Sequence, residues 1–362
     1  MQETASLERS DRSSVRTFLA LLILIHVPVL LRAGGQQLKD PTLHALIMDG
    51  IDLTLNQKYS HADSVFRRVA REFPDHPAGY LYQAAVIQSR AMDYELQIDL
   101  PAFYSLLLVG IQKAENLIKE EPKSPWGYYF LGTAYGYDSY ARVYRGNWFG
   151  GTMKGFSSVS EFKKAIALDS TLCDAYAGIG AFYYWRSRRT EWLSWLPFIG
   201  DDRAEGLRLL RKALENGLYN RYTTMSMLVT INIDAEAYET ADALARRGLE
   251  RYPTNRMFLW GSATALHKLE KFPEAAQAYE RLLQSILEDR DNNHYNEIVC
   301  RLNLVKAKLA ASDSIGIRGH LGSIRSYERA VFPEHLRGRV QDKFEQAQAI
   351  ERDFNNGGNA GR

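Results

Sequence analysis

The chain has 362 residues, a length that accommodates two or three ordinary domains or one long array of repeats. Hydrophobic residues make up 46% and charged residues 24% of it, a balance that excludes a disordered or fibrous protein. A net charge of +2 gives no electrostatic footprint for nucleic acid, and two cysteines are too few for a disulfide framework or a structural zinc module.

The chain opens with a candidate export signal. Residues 17–31, TFLALLILIHVPVLL, form an apolar run that follows three arginines, and Ala33 and Gly35 are the small residues that cleavage after position 35 requires. We therefore expect residues 1–35 to be a signal peptide that sends the protein to the periplasm or envelope. The alternative is an uncleaved anchor formed by residues 17–31, although this run is shorter than the roughly 20 residues that span a bilayer.

Residues 36–332 show a helical period with short polar breaks, which predicts an array of helix pairs. First helices repeat the spacing aromatic-x2-aliphatic-Gly-x2-aromatic at residues 128–135 and 176–183. Because positions three and four apart share one helical face, small residues there let a partner helix cross closely. The small residues expected at such crossings are Gly50, Ala62, Gly132, Gly180, Gly206 and Ala275. Pro74, Pro122 and Pro253 are expected to follow the ends of second helices.

This spacing resembles the tetratricopeptide repeat, whose first helix carries W-x2-L-G-x2-Y. Residues 43–76, 222–255 and 256–289 fit its 34-residue period. The resemblance implies an all-α, right-handed solenoid of about six units between residues 43 and 325. It also implies a non-enzymatic scaffold that binds a protein or peptide partner on its concave face, without cofactor or metal.

A narrower resemblance covers RGNW at 145–148 and WLPFIGDDR at 195–203. These segments look like parts of uncharacterised bacterial exported repeat proteins. More distantly, the stretch LPFIGDDRAEGLRLL at 196–210 is similar to the eukaryotic inclusion-body clearance family of tetratricopeptide proteins. Neither group implies catalytic residues in this chain.

Two segments, 136–157 and 184–203, interrupt neighbouring units at corresponding places and are expected as insertions between helices. Five of the six tryptophans lie within residues 126–198, so something large is buried or contacted there. Aromatic and arginine side chains are enriched at binding hot spots. The candidate binding residues are Tyr140, Arg142, Arg145, Trp148, Trp185, Arg186, Trp192, Trp195 and Arg203. The alternative is a packed mini-core in which arginines pair with Asp138, Asp201 and Asp202.

Two further interpretations stay open for these segments. The insertions could enclose an apolar pocket for a small molecule or lipid, as in an enzyme accessory protein. Alternatively, WLSWLPFIG at 192–200 could make peripheral contact with a membrane, since Trp and Phe beside basic residues suit the lipid interface.

No linear motif indicates an enzyme. GGTMKG at 150–155 lacks the Gly-Lys-Ser/Thr ending of a phosphate loop, and GFSSV at 155–159 lacks the last glycine of a nucleophile elbow. The histidines show no paired ligand spacing, and Cys173 and Cys300 are expected as separate buried thiols. After the array, residues 333–354 are expected as a capping helix and residues 355–362 as a disordered tail.

Overall fold

The computed structural model describes residues 37–359 apart from 194, 196–199 and 290–292. Throughout these residues the chain forms 15 α-helices, one short 3-10 helix and no strand. The predicted signal or anchor, residues 1–35, lies outside the described residues. None of the described helices combines the length and the apolar character that crossing a membrane requires.

Fourteen of the helices described form seven consecutive pairs, and the fifteenth packs on the end of the array. The first four pairs are α1 (Pro41–Leu55) with α2 (Tyr59–Glu72), α3 (Ala78–Asp93) with α4 (Leu100–Glu120), α5 (Pro125–Tyr144) with α6 (Trp148–Leu168), and α7 (Asp174–Arg189) with α8 (Arg203–Asn216). The other three are α9 (Arg221–Asp234) with α10 (Tyr238–Arg251), α11 (Arg256–Lys268) with α12 (Phe272–Leu287), and α13 (Tyr295–Ala310) with α14 (Ile317–Ser326). Each helix packs on the next, so the predicted all-α solenoid is confirmed, with seven pairs where about six were expected.

The turn inside a pair is built on a residue with left-handed backbone. Such residues occur between the helices of six pairs, with φ from 53° to 80°: Gln57, Glu95, Gly146, Glu236, Glu270 and Ser312. The following N–H then reaches back across the turn; Lys58 donates to the carbonyl of Leu53 at 2.9 Å. The pair α7 and α8 is joined differently, through residues 190–202, which include the 3-10 helix Glu191–Leu193.

Prolines follow the ends of second helices, as expected. The residues just before Pro74, Pro122 and Pro253 have φ of −126° or −127° and ψ between 64° and 74°. A proline ring disfavours helical backbone in the residue that precedes it, so α2, α4 and α10 stop at these points. The chain then turns into the next pair.

Small residues lie where paired helices approach most closely. A Cβ atom on Gly132 of α5 would stand 2.9 Å from the Phe162 ring on α6. A Cβ atom on Gly180 of α7 would stand 2.6 Å from the carbonyl oxygen of Gly206 on α8, and one on Gly206 would stand 2.7 Å from the Gly180 oxygen. The other small residues expected at crossings are also buried: Gly50, Ala62 and Ala275.

Residues 136–157 do not form the expected insertion. They complete α5 and begin α6, two long helices of 20 and 21 residues that are joined by the short turn 145–147. Two serines hold the crossing, because Ser158 Oγ donates to the Gly132 carbonyl and Ser139 Oγ donates to the Gly151 carbonyl, each at 2.7 Å. The glycines of this segment therefore pack one helix against another instead of bending a loop.

The last helix, α15 (Glu334–Asn359), is longer than predicted. Residues 355–359, expected in a disordered tail, continue the helix, and residues 360–362 lie outside the described part of the chain. No proline follows Phe354 to interrupt the backbone hydrogen bonds. One face of α15 is buried in the same core cluster as α13 and α14 through Leu336, Val340 and Phe344. This helix covers the end of the array.

Candidate functional site

The inner side of the first repeats is closed by contacts between repeats that are not neighbours. His44 of α1 has its Nδ1 2.7 Å from the hydroxyl of Tyr219, which lies just before α9. Trp126 of α5 packs edge-on against Tyr219, with ring centroids 5.8 Å apart. The buried Tyr129 accepts a hydrogen bond on its hydroxyl from the Asn220 amide at 3.0 Å. Repeats one, three and five thus meet inside the array.

A buried carboxylate holds the turn that carries Tyr219. Asp174 at the start of α7 accepts hydrogen bonds from the backbone N–H groups of Leu218 at 3.0 Å and Asn220 at 2.6 Å. Burial raises the pKa of Asp174, and these backbone hydrogen bonds act in the opposite direction. Both partners are backbone groups of the α8–α9 turn, so this carboxylate serves the packing.

A buried ion pair closes the array further along. Arg256 at the start of α11 donates from Nε to Asp93 Oδ1, at the end of α3, over 2.8 Å, and the Tyr59 hydroxyl donates to the same carboxylate at 3.0 Å. Burial opposes the charge on Arg256, but the hydrogen bond and the charge of Asp93 outweigh it, so the pKa of Arg256 is raised. Two residues beyond Asp93, Glu95 pairs with Arg339 of α15 at 2.8 Å.

Two equivalent positions of the units change from buried to accessible along the array. Equivalent residues are the second and fifth of the units that begin at 43, 77, 125, 173, 222 and 256. In the first four units all but the half-buried His44 are buried: Ile47, Ala78, Leu81, Trp126, Tyr129, Asp174 and Ala177. In the next two units the equivalent residues, which we call the open face, are the exposed Thr223 and Met257 and the half-buried Ser226 and Trp260. These equivalent positions are therefore accessible or half-buried on α9 and α11 and, apart from His44, buried on α1, α3, α5 and α7.

Arginines of the segment 184–203 lie over aromatic rings of the segment 136–157, on the helices α7 and α6. The Arg189 guanidinium lies over the Trp148 ring, 3.8 Å from its centroid. The Arg186 guanidinium lies 5.8 Å from the Phe156 ring and 5.7 Å from the Phe182 ring, which contact each other edge-on at 5.0 Å. Cations over aromatic faces are attracted by the ring quadrupole, so these arginines fix α7 onto α6.

Six apolar side chains in this region stay exposed, and we call them the aromatic edge. They are Trp148, Phe149, Met153 and Phe156 on α6, and Trp192 and Trp195 after α7. Phe149 is 80% exposed, Trp192 74% and Trp195 75%. Phe149, Met153 and Phe156 are not among the candidates named from the sequence, although their spacing of four and three residues marks one helical stripe opposite the buried glycines of α6.

Most of the candidate arginines pair with acids, as the mini-core alternative expects. The pairs are Arg142 with Asp138, Arg186 with Asp202, and Arg203 with both Asp201 and Glu191. Arg145 differs, because it is exposed and has no carboxylate partner among the described residues. It lines a cleft of about 230 Å³ together with Tyr104, Arg142 and Asn147. These lining residues are polar, unlike the apolar pocket that the small-molecule alternative requires.

Two of the candidate binding residues, Tyr140 and Trp185, pack against neighbouring aromatic rings within the chain. Tyr140 stacks on Tyr144 with centroids 6.3 Å apart, and burial raises the pKa of Tyr140 to about 12. Trp185 is half-buried, packs edge-on against Tyr184 at 5.2 Å and belongs to the core of the second half of the array. The structure therefore brings Trp148 and Arg186 to one surface, followed along the chain by Trp192 and Trp195, while Trp185 faces the core.

No group of three or more His, Cys, Asp and Glu side chains that could hold a metal ion occurs within the described parts of the chain. Cys173 and Cys300 are both buried, as expected from the sequence. Cys300 Sγ donates to the carbonyl of Tyr279 at 3.3 Å, and burial raises the pKa of the Cys300 thiol.

No protein-family model and no curated protein matches the chain. Solved structures of tetratricopeptide repeat proteins resemble it in fold at low sequence identity. TTC0263 from Thermus thermophilus is 18% identical, with 62% of this chain and 98% of that chain covered and a TM-score of 0.41. The C-terminal part of a repeat-containing protein from Cytophaga hutchinsonii is 13% identical, with 82% and 98% covered and a TM-score of 0.45. Yeast Tom70 is 14% identical, with 97% and 76% covered and a TM-score of 0.39.

Proposed function

We propose that the chain is a non-enzymatic scaffold of the bacterial cell envelope that binds a protein or peptide on its open face. The observation that carries this proposal is the change from closed to accessible inner positions along the array. In the first four units all of these positions but the half-buried His44 are buried, and several of them contact the turn 218–220. In the fifth and sixth units Thr223 and Met257, which are 34 residues apart, are exposed.

The open face has the chemistry of a peptide-binding surface. Met257 and Trp260 lie three residues apart on α11, and Thr223 and Ser226 occupy the equivalent places on the adjacent α9. Methionine adapts to irregular apolar contacts and tryptophan is enriched at binding hot spots, while hydroxyls can pair with peptide groups. An extended segment that crosses from α9 to α11 would contact both rows.

Trp260 is oriented by the second helix of its own pair. Its ring packs against Tyr279 of α12, with centroids 6.3 Å apart and planes at 74°. Tyr279 is itself buried in the core. A rigid aromatic side chain binds with a small loss of conformational freedom, so Trp260 is the residue of this face that we expect to matter most.

The cellular location in this proposal rests on the N-terminal sequence. The apolar run 17–31 behind three arginines is typical of export signals. Fractionation of cells that produce the full chain is expected to recover it with the envelope and not with the cytoplasm. Recovery in the cytoplasm would contradict the location while leaving the binding surface open to its own test.

Position-specific photocrosslinking tests the binding surface. A photoreactive residue at Thr223 or Met257 is expected to yield an adduct with a second polypeptide in cells. The same residue at Leu108, which is 64% exposed on α4, is the control and is expected to yield none. Equal adducts at all three positions, or no adduct at Thr223 and Met257, would contradict the proposal.

A second variant shows whether such an adduct depends on the surface itself. Trp260→Ala removes the expected anchor and should lower the affinity that the adduct at Thr223 reports by about thirtyfold or more, since hot-spot residues contribute about 2 kcal/mol or more. The variant must unfold at nearly the same urea concentration as the parent. An unchanged adduct in a folded Trp260→Ala protein would show that the partner binds elsewhere.

A further inference from the structure

The aromatic edge is a second surface, on helices other than those of the open face. Its side chains protrude, since Phe149, Trp192 and Trp195 are each about three quarters exposed or more. Contiguous exposed apolar groups on a folded chain mark sites of interaction. Because Arg189 of α7 covers Trp148 of α6, the turn after α7 that carries Trp192 lies beside the first turn of α6.

The free charge at this edge is positive. The acids nearby already pair within the chain: Asp138 with Arg142, Asp202 with Arg186, and Asp201 and Glu191 with Arg203. Arg145 and Arg189 have no carboxylate partner in the described structure, and both are exposed. A ligand that covers the edge therefore meets two unneutralised guanidinium groups beside the apolar side chains.

The composition of the aromatic edge favours the surface of a lipid membrane over a peptide. The cleft beside Arg145 is lined by polar residues, so it offers the apolar part of a peptide no pocket, while Phe149, Trp192 and Trp195 are each about three quarters exposed or more. Tryptophan and phenylalanine that enter the acyl boundary, with arginine at the headgroup level, are the composition of membrane-surface sites. Anionic lipid also supplies the negative charge that Arg145 and Arg189 lack.

We propose that the aromatic edge binds the surface of a membrane that contains anionic lipid. Phe149, Trp192 and Trp195 enter the boundary between headgroups and acyl chains, and Arg145 and Arg189 pair with lipid phosphates. The open face on α9 and α11 is left free, so the array can hold a protein partner while it lies on the membrane. This proposal goes beyond the protein-binding function and does not depend on it.

A fluorescent reporter at the edge tests the contact directly. Phe149→Cys can be labelled with an environment-sensitive dye in the full chain, because both native cysteines are buried. Ile315→Cys is the matched control, since Ile315 is 79% exposed but lies in the turn between α13 and α14. A local reporter distinguishes lipid contact at the edge from any contact made by residues 17–31.

The probe is a vesicle of phosphatidylethanolamine with roughly one third phosphatidylglycerol, enough to give the strongly anionic surface that attracts basic groups, compared with neutral phosphatidylcholine. The dye at position 149 is expected to shift to the blue on the anionic vesicles and to shift far less on the neutral ones. The dye at position 315 is expected to stay unchanged. No shift at position 149, or equal shifts at both positions, overturns the proposal.

Charge variants separate lipid binding from other causes of a shift. Arg145→Gln with Arg189→Gln should weaken the response to anionic vesicles about tenfold or more, since each basic group near an anionic surface adds to binding. The matched control is Arg71→Gln with Arg247→Gln, two exposed arginines on α2 and α10. Equal loss in both double variants overturns the specific site. A shift at position 149 that envelope proteins cause and vesicles do not cause would identify a protein surface and also overturn it.

Discussion

Arg256 in the sixth repeat binds Asp93 in the second, 163 positions away in the chain, with 2.8 Å between Nε and Oδ1. Neither side chain has more than 6% of its surface exposed. Helices α3 and α11 are not neighbours in the stack, so the contact does not follow from the order of the repeats. It is one of the side-chain contacts that bring separate parts of the array together.

Breaking this pair on one side should be more harmful than removing it altogether. Arg256→Met leaves Asp93 buried without its cation and is expected to lower the free energy of unfolding by about 3–5 kcal/mol. Arg256→Met combined with Asp93→Leu should recover part of that loss, because the fully buried carboxylate is removed, while Asp289, whose side chain is 22% exposed, still loses its contact with Arg256. Urea unfolding of the three proteins measures both effects. Equal stability of the single and double variants would show that the pair is effectively solvated.

Stability should fall as the pH is lowered from 6.5 towards 4. Burial holds the pKa of His76 at about 4, compared with 6.5 for an exposed histidine, although the charge of Asp40 acts in the opposite direction. Between these two values the unfolded chain binds a proton that the folded chain does not, so unfolding is favoured by up to about 1.4 kcal/mol per pH unit.

Unfolding midpoints in urea between about pH 7.5 and about pH 4.5 measure this slope. His76→Gln is expected to reduce it, and His61→Gln, at an exposed position on α2, serves as the control. Burial also lowers the pKa of His44, His267 and His320, so the slope should decrease without vanishing. An identical slope in both variants would remove His76 as a cause.

The crossing of α7 and α8 should not tolerate a single added methyl group. In Gly180→Ala the new Cβ would stand 2.6 Å from the backbone oxygen of Gly206, and backbone cannot move aside as a side chain can. We expect a loss of about 1–3 kcal/mol in unfolding free energy. Gly338→Ala, in open space on α15, should be neutral or gain up to about 1 kcal/mol. Calorimetric melting of both variants gives the comparison, and equal melting temperatures would contradict the close crossing.

At the left-handed turn positions, replacing glycine by alanine should lower the free energy of unfolding, and introducing glycine should raise it. Gly146 has φ of 80° and no neighbour within 4 Å of an added Cβ, so Gly146→Ala tests backbone strain alone and should cost about 1 kcal/mol. Glu236 holds the equivalent turn with φ of 58°, and Glu236→Gly should gain roughly 0.5–1 kcal/mol. Urea midpoints decide between these outcomes. A loss in Glu236→Gly would show that its side chain contributes more than its backbone strain costs.

Both thiols should be protected until the chain opens. Cys173 directly precedes α7 and Cys300 lies within α13, and both are buried, so a thiol reagent at about pH 8 is expected to modify neither within minutes. Both should react fully in urea, and mass spectrometry identifies each site. Reaction of one full equivalent in the native protein would contradict the burial of that cysteine.

Local chemistry made much of the fold predictable from the sequence. A proline stops a helix through its own ring, so Pro74, Pro122 and Pro253 marked boundaries without any knowledge of the tertiary structure. Glycines three and four residues from large side chains, such as Gly132 and Gly180, likewise indicated helix crossings. These signals depend on a few neighbouring residues, and they repeat along the chain.

The rest depends on contacts that no local pattern encodes. Trp126 meets Tyr219 from 93 positions away, and neither residue belongs to a motif that names the other. The segment 136–157 was misassigned because its glycines and aromatics resemble those of a loop, whereas their helical spacing was the better guide. Because residues 148–157 are helical, Phe149 lies on the face of α6 opposite the one that contacts α5, and it is exposed there.

The contacts among repeats one, three and five, between Arg256 and Asp93, and between Glu95 and Arg339 also have a mechanical consequence. An open helical coil lengthens under load as a spring does, each turn yielding a little. A coil whose turns are joined by side-chain contacts stays stiff until one of those contacts breaks, and then extends abruptly. Tension applied to this array would accordingly extend it little, so whatever it holds would be kept at a fixed distance and orientation.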